Sequence, residues 1–515
     1  MKELIEIIGI IKSGRITRPE KIRPLNGQLE GPSQRLYRLL MTKKHLNDDE
    51  AMKALYGKNV GGKADRGNSN KYNVLKKRLK EWIFPAVLFP ANGKVPAKGY
   101  PGAIVYCYRN FTIARMLFFF GVRVSGRRLM NNVLVRAREF EIFDVALLSV
   151  IALRREMVTS GDVRLFDGYK KDLETFQQNL DAEMAIEGIY YDLELPLATK
   201  LYISQDVVEA AAKGLKKAKR ILKDYPTYRV RNIYNDIKIL DCQVQGTLVQ
   251  AAKECDKAIT ALKSNKTMYS PGRHGAYLVR KMDSLLLSNK TDEAYKCASQ
   301  CVRVYLPGTH NWYITQALLF LAQINDPTLP LKDAFDTYTD CISHPQFKTL
   351  EMPDQEKWHI FGGYLWFMLT YHNKIAERES VFGKGKVFDL AALSKKIATT
   401  QKDKKGVFVS FTILKVLIYI EERQIKNIES SIVSLKNYLT FHLRGDNGRG
   451  RNFIKLLLAI IENEGKQHKN IPLINRLSRA LERSEPMITA NQLQIEVISY
   501  SKLWKMAEEM VKKKK

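Results

Sequence analysis

Apolar residues recur at intervals of three and four along almost the whole chain, which is the spacing of one face of an α-helix. The stripe in residues 425–439 consists of Ile425, Ile428, Ile432, Leu435 and Leu439. A similar stripe in residues 276–288 consists of Leu278, Met282, Leu285 and Leu286. Alternating patterns typical of strands are few, and the best of them, residues 493–500, is short. The sequence therefore predicts an all-α fold.

The first 90 residues look like a separate module of three short helices. The second, in residues 47–59, begins with Asn47 as its predicted N-cap and ends at Gly57. The third, in residues 71–84, has its apolar face at Leu75, Leu79, Trp82 and Ile83, and its basic face at Lys76, Lys77 and Lys80. Three short helices with a basic last helix resemble a small bundle of the helix-turn-helix type.

The composition then divides the rest of the chain. Residues 89–102 are rich in Pro and Gly, which is typical of a linker or an exposed loop. We therefore expect a basic helical module in 1–90, a linker in 91–102, a helical repeat array in 103–485, and a C-terminal segment with a basic tail in 486–515.

An internal repeat is present in three segments, 250–259, 292–302 and 332–342. They align on Ala251, Ala294 and Ala334, whose spacings are 43 and 40 residues. Seven residues after each anchor stand Ala258, Cys301 and Cys341. Small residues at both positions allow a helix to lie close to its neighbour, and a free cysteine behaves there as a small apolar group.

Each repeated helix has an apolar helix beside it in the sequence, in residues 276–288, 311–324 and 356–372. Paired antiparallel helices repeating at about 40 residues resemble a tetratricopeptide-like superhelix. The resemblance covers residues 220–375 and extends in outline over 103–485. It implies stacked helical hairpins with a concave surface that binds a protein or a peptide without catalysis.

Cys297 and Cys301 are four residues apart. This spacing is compatible with half of a metal site, with a redox pair or with a packing surface. A zinc site would need two more ligands at suitable spacing. The nearby histidines, His274, His310 and His344, form no pair at i,i+4. We therefore expect both thiols to pack in the core, and we expect no metal and no cofactor.

The net charge of +30 comes from 84 basic and 54 acidic residues. Residues 1–138 hold 28 Lys and Arg but 9 Asp and Glu, so they carry +19 of it. Such a field attracts polyanions, and the candidates are nucleic acid, an acidic protein and anionic lipid. A basic surface that only keeps the protein in solution is the alternative.

Arginine suits forked contacts with phosphate, so the arginine clusters are the candidate nucleic-acid contacts. One cluster lies in residues 121–140, and a second lies in the Gly-rich segment 441–453. With the basic face of the third helix, the predicted contacts are Lys76, Lys77, Lys80, Arg123, Arg127, Arg128, Arg136, Arg138, Arg449 and Arg451.

Catalytic motifs are missing from the sequence. It contains no phosphate-binding loop, no Rossmann glycine pattern, no G-x-S-x-G elbow and no H-E-x-x-H zinc helix. The apolar segments 103–122 and 407–420 contain Arg109, Arg115 and Lys415, so we expect buried helices and no membrane partner. Six scattered cysteines and the lack of a secretory signal favour a reducing cytoplasm.

These features predict a non-catalytic adaptor. Its helical repeats would bind a protein or peptide partner, and its basic N-terminal region would contact a polyanion. The alternative is a regulatory protein that binds DNA or RNA through the N-terminal module. An enzyme with an unrecognised site is a third hypothesis.

Overall fold

A computed structural model describes residues 2–12, 18–19, 31–42, 47–57, 66–87, 99–199, 205–383, 389–397, 407–422, 425–441, 449–463, 471–483 and 496–512. Regular structure in these ranges consists of α-helices and one 3-10 helix, and none of these residues lies in a strand. The all-α prediction is confirmed. The strand-like segment 493–500 is described from residue 496 onward, and there a bend leads into a helix that begins at Tyr500.

The chain divides into two compact units. The first comprises Met1–Asp181 with Asn265–Ser270, and the second comprises Ala182–Ser264 with Pro271–Lys515. This division does not follow the predicted domain limits at residues 90, 102 and 485. Those limits remain a prediction. Most of the predicted linker, residues 91–98, lies outside the described residues, and Tyr100–Gly102 already belong to a helix.

Four helices of the first unit share one core: α1 (Lys2–Lys12), α2 (Gly31–Thr42), α3 (Asp48–Tyr56) and α4 (Arg66–Val87). The core contains Leu4, Ile8, Leu36, Leu40, Leu79 and Ile83. The predicted module had three helices and lacked α1. Leu4, Ile8 and Ile11 nevertheless recur at helical spacing and are buried.

The predicted ends of α3 are confirmed. The side chain of Asn47 accepts the Glu50 N–H at 2.7 Å, and the Glu50 carboxylate accepts the Asn47 N–H at 3.2 Å. This reciprocal pair is a capping box, which satisfies two backbone donors at the helix start. Gly57 ends the helix with a φ of 99°, a value that side chains other than glycine rarely adopt.

The first unit continues with α5 (Tyr100–Phe119), α6 (Arg123–Glu139), α7 (Phe143–Ser160) and the long α8 (Val163–Thr199). Short turns join them, and α6 packs on both α5 and α7, which also contact each other. Phe143 contacts Phe176 and Arg154 lies over Phe166, so α7 and the start of α8 are antiparallel. The α5–α6 and α7–α8 turns therefore lie at the same end of this helical layer.

The second unit begins with the C-terminal part of α8 and continues with helices joined by short connections. Ile186 and Leu193 of α8 share a core with the next two helices. The helices are α9 (Gln205–Asp224), α10 (Tyr228–Val244), α11 (Leu248–Ser264), α12 (Pro271–Leu287), α13 (Thr291–Cys301), α14 (His310–Asn325), α15 (Leu331–Ser343) and α16 (Met352–Tyr371), with a 3-10 helix at Pro345–Thr349 before α16.

Each helix from α9 to α16 packs on the helix that follows it, and α12 also packs directly on α14. The three repeated segments coincide with α11, α13 and α15. Their anchors Ala251, Ala294 and Ala334 are at most 1% exposed. The positions seven residues later, Ala258, Cys301 and Cys341, are at most 3% exposed. The predicted tight positions are therefore confirmed as buried in all three copies.

The C-terminal helices are α17 (Ile375–Phe382), α18 (Leu390–Ile397), α19 (Val407–Glu421), α20 (Ile425–Phe441), α21 (Arg449–Asn463), α22 (Ile471–Arg483) and α23 (Tyr500–Lys512). The most apolar of them, α19, contacts α16, α20 and α23. Its residues Ile413, Leu414, Leu417 and Ile418 are fully buried. The prediction of a buried helix in 407–420 is confirmed.

Candidate functional site

Helix α5 buries its small residues and exposes its large ones. Its buried positions are Gly102, Ala103, Cys107, Asn110 and Ala114. Its exposed large side chains include Tyr108, Ile113, Met116 and Phe119. The prediction of a buried helix in 103–122 is therefore wrong for these side chains, because close packing against α6 and α7 uses the small residues and leaves the apolar ones outside.

The α5–α6 turn carries the most exposed apolar side chains of this helix pair. Phe119 is 79% exposed, Phe120 72% and Val124 74%. The two phenylalanine rings contact each other edge to face, with centroids 5.3 Å apart. Scattered apolar residues on a surface need no explanation, but a contiguous group marks an interaction site. We call Met116, Phe119, Phe120, Val122 and Val124 the apolar turn.

Three predicted phosphate contacts lie beside the apolar turn at the start of α6. Arg123 and Arg128 are exposed and Arg127 is half-buried. None of the three has an ion pair within the described part of the chain. No Asp or Glu occurs between Glu81 and Glu139, so none of the three has an acidic residue on an adjacent turn of its own helix. These three guanidinium groups are available to an external anion.

Arg136 and Arg138, farther along α6, already have partners. Arg136 pairs with Glu139 at 3.1 Å and lies 4.3 Å from the centroid of the Phe140 ring. Arg138 pairs with Asp172 at 2.5 Å. Both guanidinium groups therefore help to join α6 to its own loop and to α8, and an external phosphate would compete with these carboxylates.

The three predicted lysines of α4 differ from one another. Lys76 is half-buried, pairs with Asp48 at 3.0 Å and lies 4.7 Å from the Tyr72 ring centroid. Burial opposes ionisation of Asp48, but Lys76 outweighs it and lowers the pKa of that carboxyl. Lys77 is exposed beside Glu81, and Lys80 is half-buried. Lys76 thus joins α4 to α3, and Lys77 is the accessible one.

Arg449 and Arg451 lie in the first turn of α21, whereas the sequence had placed them in a Gly-rich loop. Residues 442–448 of that segment lie outside the described residues. Arg449 is 9% exposed and donates to Glu496 at 3.0 Å, to the Leu481 carbonyl at 3.0 Å and to Ser501 at 2.9 Å. Its guanidinium therefore connects three C-terminal segments and faces the protein interior.

The second unit contains a charged cluster that the sequence reasoning missed. Asp236 of α10 is 4% exposed and pairs with Arg273 of α12, and Arg280 lies 4.0 Å from its other oxygen. Arg280 also reaches Glu194 of α8 at 2.9 Å and the Tyr190 hydroxyl. Taken in order, the hairpins pair α8 with α9, α10 with α11, α12 with α13, and α14 with α15, and α16 begins the next one. The cluster joins α8, α10 and α12, which are the first helices of successive hairpins. Its only sequence signal is charge inside otherwise apolar helical stripes.

Asp283 lies one turn after Arg280 on α12 and is half-buried. Its Oδ1 is shielded from solvent and has no hydrogen-bond partner. Burial raises the pKa of this carboxyl to about 7, although Arg280 and Lys357 of α16 oppose the shift. Asp283, Arg280 and Lys357 thus bring titratable and charged groups together on the side formed by the first helices of the hairpins.

The two cysteines at 297 and 301 are buried between helices. The Cys297 thiol lies 3.6 Å from the Leu278 carbonyl, and the Cys301 thiol lies 3.8 Å from the Gly275 carbonyl and 3.6 Å from the Thr315 hydroxyl. Burial raises the pKa of Cys297 to about 12 and also raises that of Cys301. All six cysteines are free thiols. Both thiols therefore sit against backbone in a packing surface.

Two further findings concern metal-binding groups and membrane-spanning helices. In the described part of the chain, no three His, Cys, Asp or Glu side chains form a group that could hold a metal ion. None of the described helices is both long enough and apolar enough to cross a bilayer. Comparison with protein-family models, curated proteins and solved structures finds no match to this chain.

Proposed function

We propose that this chain is a non-catalytic adaptor of the cytoplasm. Stacked hairpins of the second unit form a tetratricopeptide-like superhelix that binds a protein or a peptide, and the basic first unit contacts a polyanion. The observation that carries the proposal is the equivalence of the three hairpins, because each buries a small residue at both repeated positions. Equivalent close contacts are what a stacked helical array requires.

The direct contact between α12 and α14 supports the same arrangement. In stacked hairpins the first helices of neighbouring units line one side, and the second helices line the other. The half-buried charges of Arg280, Asp283 and Lys357 all belong to first helices. A peptide on that side would meet donors and acceptors for its backbone and its charged side chains.

A charge reversal tests the peptide site. Lys357→Glu changes a half-buried charge on the first-helix side, whereas Lys332→Glu changes an exposed charge at the start of the second helix α15. The full chain and both variants are immobilised, and captured proteins are identified by mass spectrometry. A partner retained by wild type and Lys332→Glu but lost by Lys357→Glu is the expected result. Identical capture by all three proteins would contradict this location.

Binding of DNA or RNA by the first unit is the second candidate function. It is favoured by the 57 residues from 82 to 138, which contain nine basic residues and no acidic one. Gel-shift titrations of the full chain with single- and double-stranded oligonucleotides test it between about 50 and 200 mM salt. Arg127→Glu/Arg128→Glu should reduce both affinity and salt dependence, while Arg303→Glu on the second unit should not. Equal binding by both variants would refute a contact at α6.

A further inference from the structure

We infer that the end of the first unit formed by the α5–α6 and α7–α8 turns docks on the surface of an anionic phospholipid bilayer without crossing it. The inference rests on the proposed polyanion contact and names its chemical class. It concerns a surface contact, so it is compatible with the finding that no described helix can span a bilayer.

Many exposed apolar side chains of the described residues lie in the segment from α5 to the start of α8, and eight of them lie at or beside these two turns: Met116, Phe119, Phe120, Val122, Val124, Val158, Val163 and Leu165. Thirteen of the 25 exposed large hydrophobic side chains among the described residues lie between residues 108 and 165. Besides the apolar turn, the α7–α8 turn at the same end contributes Val158, 69% exposed, and Val163, 70% exposed. Two neighbouring helix turns with apolar side chains at one end of a layer can enter the headgroup region together.

The backbone N–H groups of residues 120–123, at the centre of the apolar turn, are satisfied internally. The N–H groups of Phe120, Gly121, Val122 and Arg123 donate to carbonyls of residues 116–121 at distances between 2.9 and 3.1 Å. Gly121 permits this closure, since its φ of 76° lies in the left-handed region. A turn whose N–H donors are already bonded enters a region of low polarity without the cost of unpaired backbone groups.

The charges next to the turn match an anionic headgroup layer. Arg115 and Arg123 flank the exposed phenylalanines in the sequence, and Arg127 and Arg128 follow within the first turns of α6. Long basic side chains beside inserted apolar ones reach lipid phosphates and strengthen binding to an acidic membrane surface. Asp162, in the α7–α8 turn, is half-buried and accepts the Leu165 N–H at 3.0 Å, so it is partly withdrawn from this surface.

Two features favour lipid over nucleic acid as the anion. Phosphate contacts in nucleic-acid complexes commonly use free backbone N–H groups, but the N–H groups of residues 120–123 are occupied. Single strands also require aromatic faces for base stacking. Phe119 and Phe120 could supply such faces, whereas Met116, Val122 and Val124 could not. A lipid interface accommodates aliphatic and aromatic side chains equally.

Co-sedimentation of the full chain with vesicles tests the inference. One set of vesicles contains equal parts of phosphatidylcholine and phosphatidylserine, and the other contains phosphatidylcholine alone. The variants are Phe119→Ser/Phe120→Ser and Arg127→Glu/Arg128→Glu. Leu306→Ser and Arg303→Glu are the matched controls, since both residues are exposed on the second unit. Circular dichroism checks the helix content of each variant, and Val124→Ser provides a milder change in the same turn.

We expect binding to the phosphatidylserine vesicles alone, with each double variant reducing the partition coefficient by about tenfold or more and the controls leaving it unchanged. Serine variants that bind these vesicles as wild type does would overturn the inference. Failure to bind vesicles together with arginine-dependent binding of an oligonucleotide would also overturn it, while the proposed polyanion contact would stand. Failure to bind either anion would refute both.

Discussion

Gly362 lies in the middle of α16, where replacement by alanine should destabilise the second unit. A β-carbon built at this position would overlap the Tyr338 hydroxyl oxygen and lie 2.7 Å from its Cζ atom. Tyr338 belongs to α15, is 7% exposed and lies against Trp358 with ring centroids 6.5 Å apart. The ring is thus enclosed and cannot swing into solvent to relieve the contact.

Two opposing terms set the size of the effect. Alanine in place of glycine inside a helix favours folding by up to about 1 kcal/mol. Overpacking of a close-packed contact costs about 1–3 kcal/mol. The difference between the two terms is about 0–2 kcal/mol, so we expect Gly362→Ala to lower the free energy of unfolding by up to about 2 kcal/mol.

Gly188→Ala is the matched control, because Gly188 lies in α8 and a β-carbon there would meet no atom within 4 Å. This substitution should raise the free energy of unfolding by about 0.5–1 kcal/mol. Urea denaturation followed by circular dichroism measures both variants in the full chain. If Gly362→Ala stabilises the protein as much as Gly188→Ala does, the close contact between α15 and α16 is refuted.

Substitutions at three further positions test the hairpin contacts and the charged cluster. Cys301→Leu should lower the free energy of unfolding by about 1–3 kcal/mol because the slot is tight. Cys301→Ala should cost less, since Ala258 fills the equivalent position, and urea titrations that give equal losses would contradict this. Asp236→Ala should cost about 1–3 kcal/mol, because two half-buried arginines lose a buried carboxylate partner; calorimetry showing an unchanged melting temperature would contradict it. Asp283 has its pKa raised to about 7, so between about pH 4 and pH 7 the folded protein holds a proton that the unfolded chain releases. Stability should therefore fall as the pH rises through this window, by at most about 4 kcal/mol. Asp283→Asn should remove that fall, and parallel curves for variant and wild type would exclude this origin.

The sequence predicts much of the second unit, because hairpin packing there follows local patterns. The 3–4 spacing of apolar residues places the helices, and the alanine and cysteine positions show which faces come close. The N-cap at Asn47 and the end at Gly57 are likewise local signals. Each of these features depends on residues within one or two helical turns of one another.

Helix α5 shows where such reasoning fails. Its length and hydropathy predict burial, yet its buried side includes Ala103, Cys107 and Ala114, whereas Phe119 and Phe120 stay outside. Hydropathy measures how apolar a segment is and does not say which side meets a neighbour. The acid-free run from residue 82 to residue 138 is the signal that could have identified this surface as exposed.

The sequence identified some accessible basic side chains and missed the ion pairs of others for a similar reason. Residue type alone suggested ten basic side chains as phosphate contacts. Several of them instead bind carboxylates that are distant in the chain. Arg449 meets Glu496, and Arg138 meets Asp172. The charged cluster around Asp236 could not be found, because its members come from α8, α10 and α12 and adjoin only after these helices pack.

Thiol reactivity of the intact protein tests the close stacking of the hairpins most directly. Cys242 is half-buried, whereas Cys255, Cys297, Cys301 and Cys341 are at most 5% exposed. The full chain is treated with N-ethylmaleimide with and without denaturant, and labelled sites are identified by mass spectrometry. We expect Cys242 to be labelled first and the other four to be protected until the protein unfolds. Labelling of Cys301 and Cys341 in the native protein at the rate of Cys242 would show that the predicted tight positions are open.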